Sequence, residues 1–232
     1  MKTLAVNDLV FEVRESPQRR TLEIIVDRDG SLVLAAPPGL SQADLEAFVR
    51  EHLLWVYTRL EEKAAQAQPQ TPKEYVSGEG FYYLGRSYRL KVVQGESRQP
   101  PLRLYQGRFE LQRDAIPQAR EHFIRWYTVH LRPVLDRHIA ALADRVGARP
   151  RQVRVQDLGY RWGSSDKRRH VYFHWRVVML PQRMIEYLVA HELVHLVERY
   201  HTEAFWQRLE RVVPDYAERR RWLRECGGMY DL

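Results

Sequence analysis

The segment His191-Glu192-Leu193-Val194-His195 holds two imidazoles four residues apart, with a carboxylate one residue past the first. Residues four apart share one face of a helix, so both rings can reach a single cation. Imidazole nitrogen is a ligand for zinc, and zinc lowers the pKa of a bound water to about 7. Glu192, beside such an ion, is placed to take the water's proton as it attacks a polarised carbonyl. The pattern points to a metal-dependent hydrolase with His191 and His195 as ligands and Glu192 as general base. The competing reading makes these core histidines paired to the adjacent Glu. Against it stands the apolar stretch around them, Ile185 to Val189 and Leu196-Val197, where unshared polar groups are costly to bury.

A catalytic zinc has three protein ligands and one open position. His201 is the expected third, just past the helix end and directly before Thr202, a candidate cap of the next helix. Its spacing from His191 matches zinc peptidases with three His ligands; where those usually turn at a Gly, this chain has Glu198. Glu198, Glu203 and Glu210 are the rival ligands. Arg161 and Trp162 are candidate substrate-binding residues, with Arg161 able to hold a carboxylate or phosphate; their other reading is a brace between strand and helix. His174 reads as a packed strand residue rather than a ligand. His52, His122, His130, His138 and His170 have no ligand spacing. Tyr160 and Tyr200 are candidates for stabilising an oxyanion.

These residues need a scaffold. Leu22, Ile24 and Val26, an Asp29-Gly30 turn and Leu32 to Leu34 read as strands, ended by Pro37-Pro38-Gly39. Ser41 with Asp44 forms a capping-box pattern, with Leu40 and Leu45 as a hydrophobic staple. Leu45, Phe48, Val49, Leu53, Val56 and Leu60 recur at helical spacing, which predicts an amphipathic helix over 41–66. A polar, Pro-containing linker follows near 66–73. Tyr82 to Leu90 around Gly85, and Leu102 to Leu111 around Gln106-Gly107, predict two hairpins. The division expected is a β-rich N-terminal region over 1–112 and a catalytic domain over 113–232. In the latter, helical spacing runs from Asp114 to Val146 with a kink expected at Pro133 and Gly147 as the cap. Val153-Val155 and Val171 to Trp175 read as strands. Pro181 opens a helix that extends through Glu198, and helices over 202–213 and 216–225 complete the chain. No internal repeat is found.

The chain has 232 residues, 44% hydrophobic, with six Trp, enough for a sizeable core. A single Cys excludes an internal disulfide and suits a reducing compartment, so the cytoplasm is the expected location. No apolar run is long enough to span a bilayer, and the first residues lack the apolar core of a signal peptide. The net charge of +7 suits a polyanionic partner such as nucleic acid or a nucleotide. The excess is mostly Arg and spread along the chain; the short runs Lys167-Arg168-Arg169 and Arg219-Arg220-Arg221 read as solvated faces.

From Tyr160-Arg161-Trp162-Gly163-Ser164-Ser165, through Val171 to Trp175, to His191-Glu192-Leu193-Val194-His195-Leu196, His201 and Phe205-Trp206, the chain resembles the YgjP-like metallopeptidase family. It is similar, more distantly, to SprT-type zinc peptidases. Val213 to Tyr216, Trp222-Leu223 and Gly80 to Leu90 fit as well, so the likeness covers most of the chain and is densest from Arg151 to Arg224. The resemblance implies an α+β, zincin-like metallopeptidase domain, with the HExxH active-site helix packed on a small sheet and preceded by a β-rich N-terminal region. It also implies a zinc cofactor on His191, His195 and His201, Glu192 as catalytic acid and base, and a peptide or protein substrate; the strand Val171 to Trp175 is expected to pair with that substrate. Ser165 stands where the family usually has Cys, and reads as a small buried replacement. The alternative functions are zinc-dependent hydrolysis of a nucleotide or other phosphate ester, or the work of a nucleic-acid-associated protease.

Overall fold

Alternating burial starts earlier than the sequence reading expected. Leu4, Val6, Leu9, Phe11 and Val13 are buried while their neighbours are not, the period of a half-buried strand. A computed structural model describes residues 2–27, 30–66, 72–95, 99–159 and 161–232, the side chains of 61–66 excepted. In it, Lys2–Val6 (β1) and Leu9–Glu15 (β2) form an antiparallel hairpin. Glu23–Val26 (β3) and Leu32–Ala36 (β4) complete a sheet of order β1-β2-β4-β3, with β2 and β4 parallel. Asp29 of the expected turn lies outside the described residues, as do 67–71 of the expected linker and Tyr160.

The capping box is present: Asp44 N–H donates to Ser41 Oγ, and Ser41 N–H donates to the Asp44 carboxylate, both at 3.2 Å. The single helix expected over 41–66 is two, Gln42–Glu51 (α1) and Leu53–Gln66 (α2). The break falls at His52, whose backbone N–H turns to Val49 O at 3.0 Å, while its ring Nδ1 donates to the Phe48 carbonyl at 2.8 Å. Leu45, Val49 and Val56 pack on Phe11 and Leu34 to make a core of their own.

Two units result, Met1–Pro69 and Gln70–Leu232. The boundary thus falls well before 112/113. Gly80–Tyr83 (β5), Arg86–Val93 (β6), Leu102–Tyr105 (β7) and Arg108–Gln112 (β8) belong to the second unit, because Phe81, Leu90, Phe109 and Leu111 share one core with Phe123, Tyr127 and Leu131 of the next helix. Phe81 stacks on Phe123 at 4.2 Å, and Phe109 meets Trp126 edge-on at 4.9 Å. This sheet has order β5-β6-β8-β7 with β6 and β8 parallel. That is the topology of the first sheet, and each is followed by a helix. The repeat absent from the sequence is therefore present in the strand pairing.

Residues Arg113–Gln118 form a 3₁₀ turn, so Ala119–Val146 (α3) begins later than expected; it runs unbroken through Pro133 and ends on Gly147. Gln152–Gln156 (β9), Gly163–Ser165 (β10) and His170–His174 (β11) make a sheet of order β10-β11-β9, with β11 parallel to β9 and antiparallel to β10. Strand β11 stops at His174, and Trp175–Met179 is 3₁₀. Gln182–His195 (α4) ends three residues before Glu198. Glu203–Val212 (α5) and Tyr216–Cys226 (α6) follow. The described residues thus hold three sheets and six α-helices, a mixed α and β fold, and no helix among them is long and apolar enough to cross a membrane.

The turn joining β5 to β6 docks against the start of α4. Leu84 N–H donates to Val178 O at 2.8 Å and Gly85 N–H to Met179 O at 2.9 Å, while a Cβ on Gly85 would lie 2.8 Å from Pro181 Cα. Gly85 and Gly107 both hold positive φ, +81° and +75°, but Gly107 has open space around it. We expect Gly107→Ala to cost about 1–2 kcal/mol from the left-handed backbone alone. Gly85→Ala should cost about 1–3 kcal/mol more through the clash with Pro181. Urea midpoints of the two variants check this; equal midpoints would show that the turn is not wedged against α4.

Candidate metal centre

Helix α4 is buried on most of its circumference. Met184, Ile185, Tyr187, Leu188, Val189, Ala190, Leu193 and Val194 all lie in the core. The remaining stripe carries His191, Glu192 and His195, so the polar groups lie where apolar packing has removed most of the water. Arg219 of α6 braces the helix from outside: its guanidinium donates to the Glu186 carboxylate at 2.6 Å, the Arg183 carbonyl at 2.7 Å and Asp215 at 2.8 Å. The run Arg219-Arg220-Arg221 is therefore partly structural, not a purely solvated face; Arg220 lies over the Trp206 ring.

The chain leaves α4 without any positive φ between 196 and 201. Bonds to the third residue back tighten the last turn, Leu196 N–H to Leu193 O and Val197 N–H to Val194 O. A glycine at Glu198 is unnecessary for that reason. The Glu198 carbonyl then accepts from His195 Nδ1 at 3.2 Å, so the backbone that turns the chain also fixes the ring. With Nδ1 donating, His195 Nε2 is left with its lone pair.

The turn returns His201 to the helix. The Nε2 atoms of His191, His195 and His201 stand 3.1 Å from one another in all three pairs. Among the described residues this is the cluster of His, Cys, Asp and Glu whose ligand atoms converge. Glu198, Glu203 and Glu210 are outside it; Glu198 faces Arg208 at 3.6 Å and Glu203 accepts from Gln207. Burial pushes the His191 ring down to about 3, helped by His195, His201 and Arg220. Burial also lowers His195, and lowers His201 together with His195 and Arg220. Three neutral rings with converging lone pairs suit a cation and little else.

Phe205 belongs to the stretch that carries the family resemblance, and its spacing alone gives it no role. Its ring, fully buried on α5, lies 5.0, 4.5 and 4.7 Å from the three imidazoles. Trp206 stacks on His201 at 5.3 Å and on Tyr216 at 5.4 Å. Only the amphipathic spacing of α5 hinted at such a seat.

Glu192 is 5% exposed and its Oε2 has no hydrogen-bond partner. Burial pushes its carboxyl up to about 8, opposed by a hydrogen bond from Ser165 and the charge of Arg161. Ser165 is thus a polar partner of the carboxylate and only half-buried, rather than the small buried filler expected. Gly163 presses on the same group: a Cβ there would stand 2.7 Å from Oε1 and 2.8 Å from Cγ. Neither contact was readable from spacing. Arg161 lines the cleft over the histidines, together with Tyr200. Trp162 turns away, against Gly227, and its carbonyl accepts from His174 N–H. His174 is fully buried, takes Arg176 N–H on Nδ1, lies 3.3 Å from Asp157 and is outside the trio.

The sequence matches the family described as YgjP-like, metallopeptidase domain, over residues 20–226. Among solved structures, the metallopeptidase zymogen of Pyrococcus abyssi abylysin is similar at 24% identity, covering 40% of this chain and 95% of that one, with a TM-score of 0.37. Comparison with curated proteins gives no match. With nearly the whole chain covered by the family match, the protein belongs to the YgjP-like metallopeptidase family and is a metal-dependent hydrolase.

Proposed function

We propose that the chain is a zinc peptidase in which His191, His195 and His201 hold the ion and Glu192 is the general base. The observation that carries this reading is the convergence of three imidazole nitrogens at 3.1 Å beside a buried carboxylate. A tetrahedral zinc with bonds of about 2.0–2.1 Å to nitrogen spaces its ligand atoms about 3.3–3.4 Å apart, close to that separation. Three protein ligands leave a position open, as a catalytic site requires. On this reading the second unit is a zincin-type domain, α4 lying against the small sheet through Gly163 and Glu192. The single free Cys226 is in keeping with a cytoplasmic setting.

Zinc held there supplies Lewis acidity, bringing a water's pKa to about 7 and polarising a carbonyl. Glu192 takes the proton of the attacking water and passes it to the leaving amine. Ser165 and Gly163 fix the carboxylate so that it meets the water in one orientation. The substrate strand expected at Val171 to Trp175 is moved to β10, because β11 is paired on both sides and β10 is an edge. An extended peptide added to that edge lies next to Glu192. The basic lining of the cleft favours a second reading, a phosphate ester as substrate; casein-type hydrolysis against phosphate release from nucleotides separates the two.

Glu192→Gln should lower kcat by about 10²–10⁴-fold while zinc stays near one per chain. Activity at the native level would sink the general-base role. His201→Ala should lose most of the zinc measured by elemental analysis, and chelation of the native protein should lower its Tm, restored by added zinc. Zinc fully retained in the variant would move the third ligand elsewhere. Gly163→Ala should cut kcat by about 10-fold or more with zinc retained, because the new methyl displaces the carboxylate; unchanged kcat would show that Glu192 tolerates the shift.

A further inference from the structure

The run Lys167-Arg168-Arg169, which reads in the sequence as a solvated face, is the turn joining β10 to β11. Asp166 builds that turn. Its carboxylate accepts from the backbone N–H of Arg168 at 2.8 Å and His170 at 2.9 Å, and from the His170 ring and Tyr172 hydroxyl at 3.1 Å each. Arg169 is held at φ +65°, a left-handed conformation that side-chain-bearing residues rarely adopt. The turn is thus built to a fixed shape, and it carries Lys167 and Arg169 to the wall of the cleft above the three histidines.

Two further cations reach the same cleft from other segments: Arg161, just before β10, and Arg199, from the turn after α4. Two carboxylates line it. Asp166 is occupied with its own turn, and Glu192 lies buried at the base. Lys167, Arg169 and Arg199 form no ion pair among the described residues. A cleft of about 570 Å³ therefore has a cationic rim with its anions turned inward, beside a strand edge that offers backbone hydrogen bonds.

We propose that this rim selects polypeptide substrates with Asp or Glu side chains on the residues flanking the bond to be cut. The proposal rests on the peptidase reading above. An extended peptide advances about 3.3 Å per residue with alternating side chains, so residues on either side of the bond come within reach of cations from three segments. Nucleic acid is disfavoured, because tracking phosphates needs a basic stripe along a surface, whereas these charges ring one confined cleft beside an edge that pairs with peptide.

The test uses two fluorescent peptides of about ten residues, alike except that one carries Glu and the other Gln at the positions around a central apolar pair. The zinc-loaded full chain is assayed for cleavage, and Glu192→Gln for binding by anisotropy. We expect kcat/KM to favour the Glu peptide by about 10-fold near 50 mM salt, shrinking to about 2-fold near 0.5 M as the charges are screened. In Lys167→Gln/Arg199→Gln, checked for native circular dichroism and zinc content, the low-salt ratio should fall to about 2-fold or less. Arg169 is left in place because of its backbone. Equal rates for the two peptides would overturn the proposal and leave the peptidase reading standing, as would a preference that survives in the double variant. Tighter binding of the Glu peptide, with neither peptide cut, would keep the rim and sink the peptidase reading. A short oligonucleotide bound with a steep salt slope, the two peptides binding alike, would overturn the proposal in favour of nucleic acid.

Discussion

Removing water from one stripe of α4 is the constraint on which the rest of the second unit depends. Eight side chains of the helix are buried apolar groups, yet its exposed remainder is too narrow to solvate His191, Glu192 and His195. A carboxylate and imidazoles in that position lose hydration that the protein only partly replaces: Glu192 Oε2 and His191 Nδ1 are both without partners. Unpaired buried polar groups of this kind cost a protein stability, commonly about 1–3 kcal/mol each. Both of these atoms belong to residues that border one cleft. Burial also shifts their charge balance, driving the His191 ring down to about 3 and the Glu192 carboxyl up to about 8.

The surrounding elements read as answers to that constraint. The 3₁₀ tightening after His195 brings His201 back within six residues, and its Glu198 carbonyl settles the His195 tautomer. Phe205 presents one ring to all three imidazoles, excluding water from their backs while leaving the nitrogens facing the cleft. On the other side, β10 is short and lacks a side chain at Gly163, so backbone approaches the carboxylate at a distance a Cβ would forbid. Two packed surfaces, one aromatic and one bare backbone, thus hold the polar groups in fixed relation.

What was legible in the sequence follows the range of the forces involved. His191, Glu192 and His195 were readable because helical spacing alone puts them together, and His201 because its separation is short. The capping box at Ser41 and the Gly147 cap are likewise local and were found. The break at His52 leaves no trace in the sequence because the apolar period continues across it; it shows only in the backbone, where the His52 N–H bonds Val49 O three residues back. Strand β10 has three small residues and no alternation; it exists through pairing with β11. The contact of Gly163 and Ser165 with Glu192 spans more than twenty-five residues of chain and leaves no periodic trace. The early boundary of the second unit was missed for a similar reason. Sheet β5 to β8 looks like its predecessor in pattern, and only the packing of Phe81 and Phe109 on Phe123 assigns it to the later helix.

That likeness between the two sheets shows how a common scaffold is given different work. Both have the same strand order and the same parallel central pair. In the first, the turn between its opening strands, at Asn7-Asp8, is tied to the following helices through the Tyr57 hydroxyl. In the second, the equivalent turn at Leu84-Gly85 hydrogen-bonds Val178 and Met179 and presses on Pro181. The first turn closes its own unit, whereas the second sets the origin of the helix that carries the histidines. Because α4 is rigid and starts at Pro181, fixing its first turn fixes His191 and His195 ten and fourteen residues on. The sheet farthest in sequence from the three histidines within the unit therefore bears directly on where their nitrogens meet.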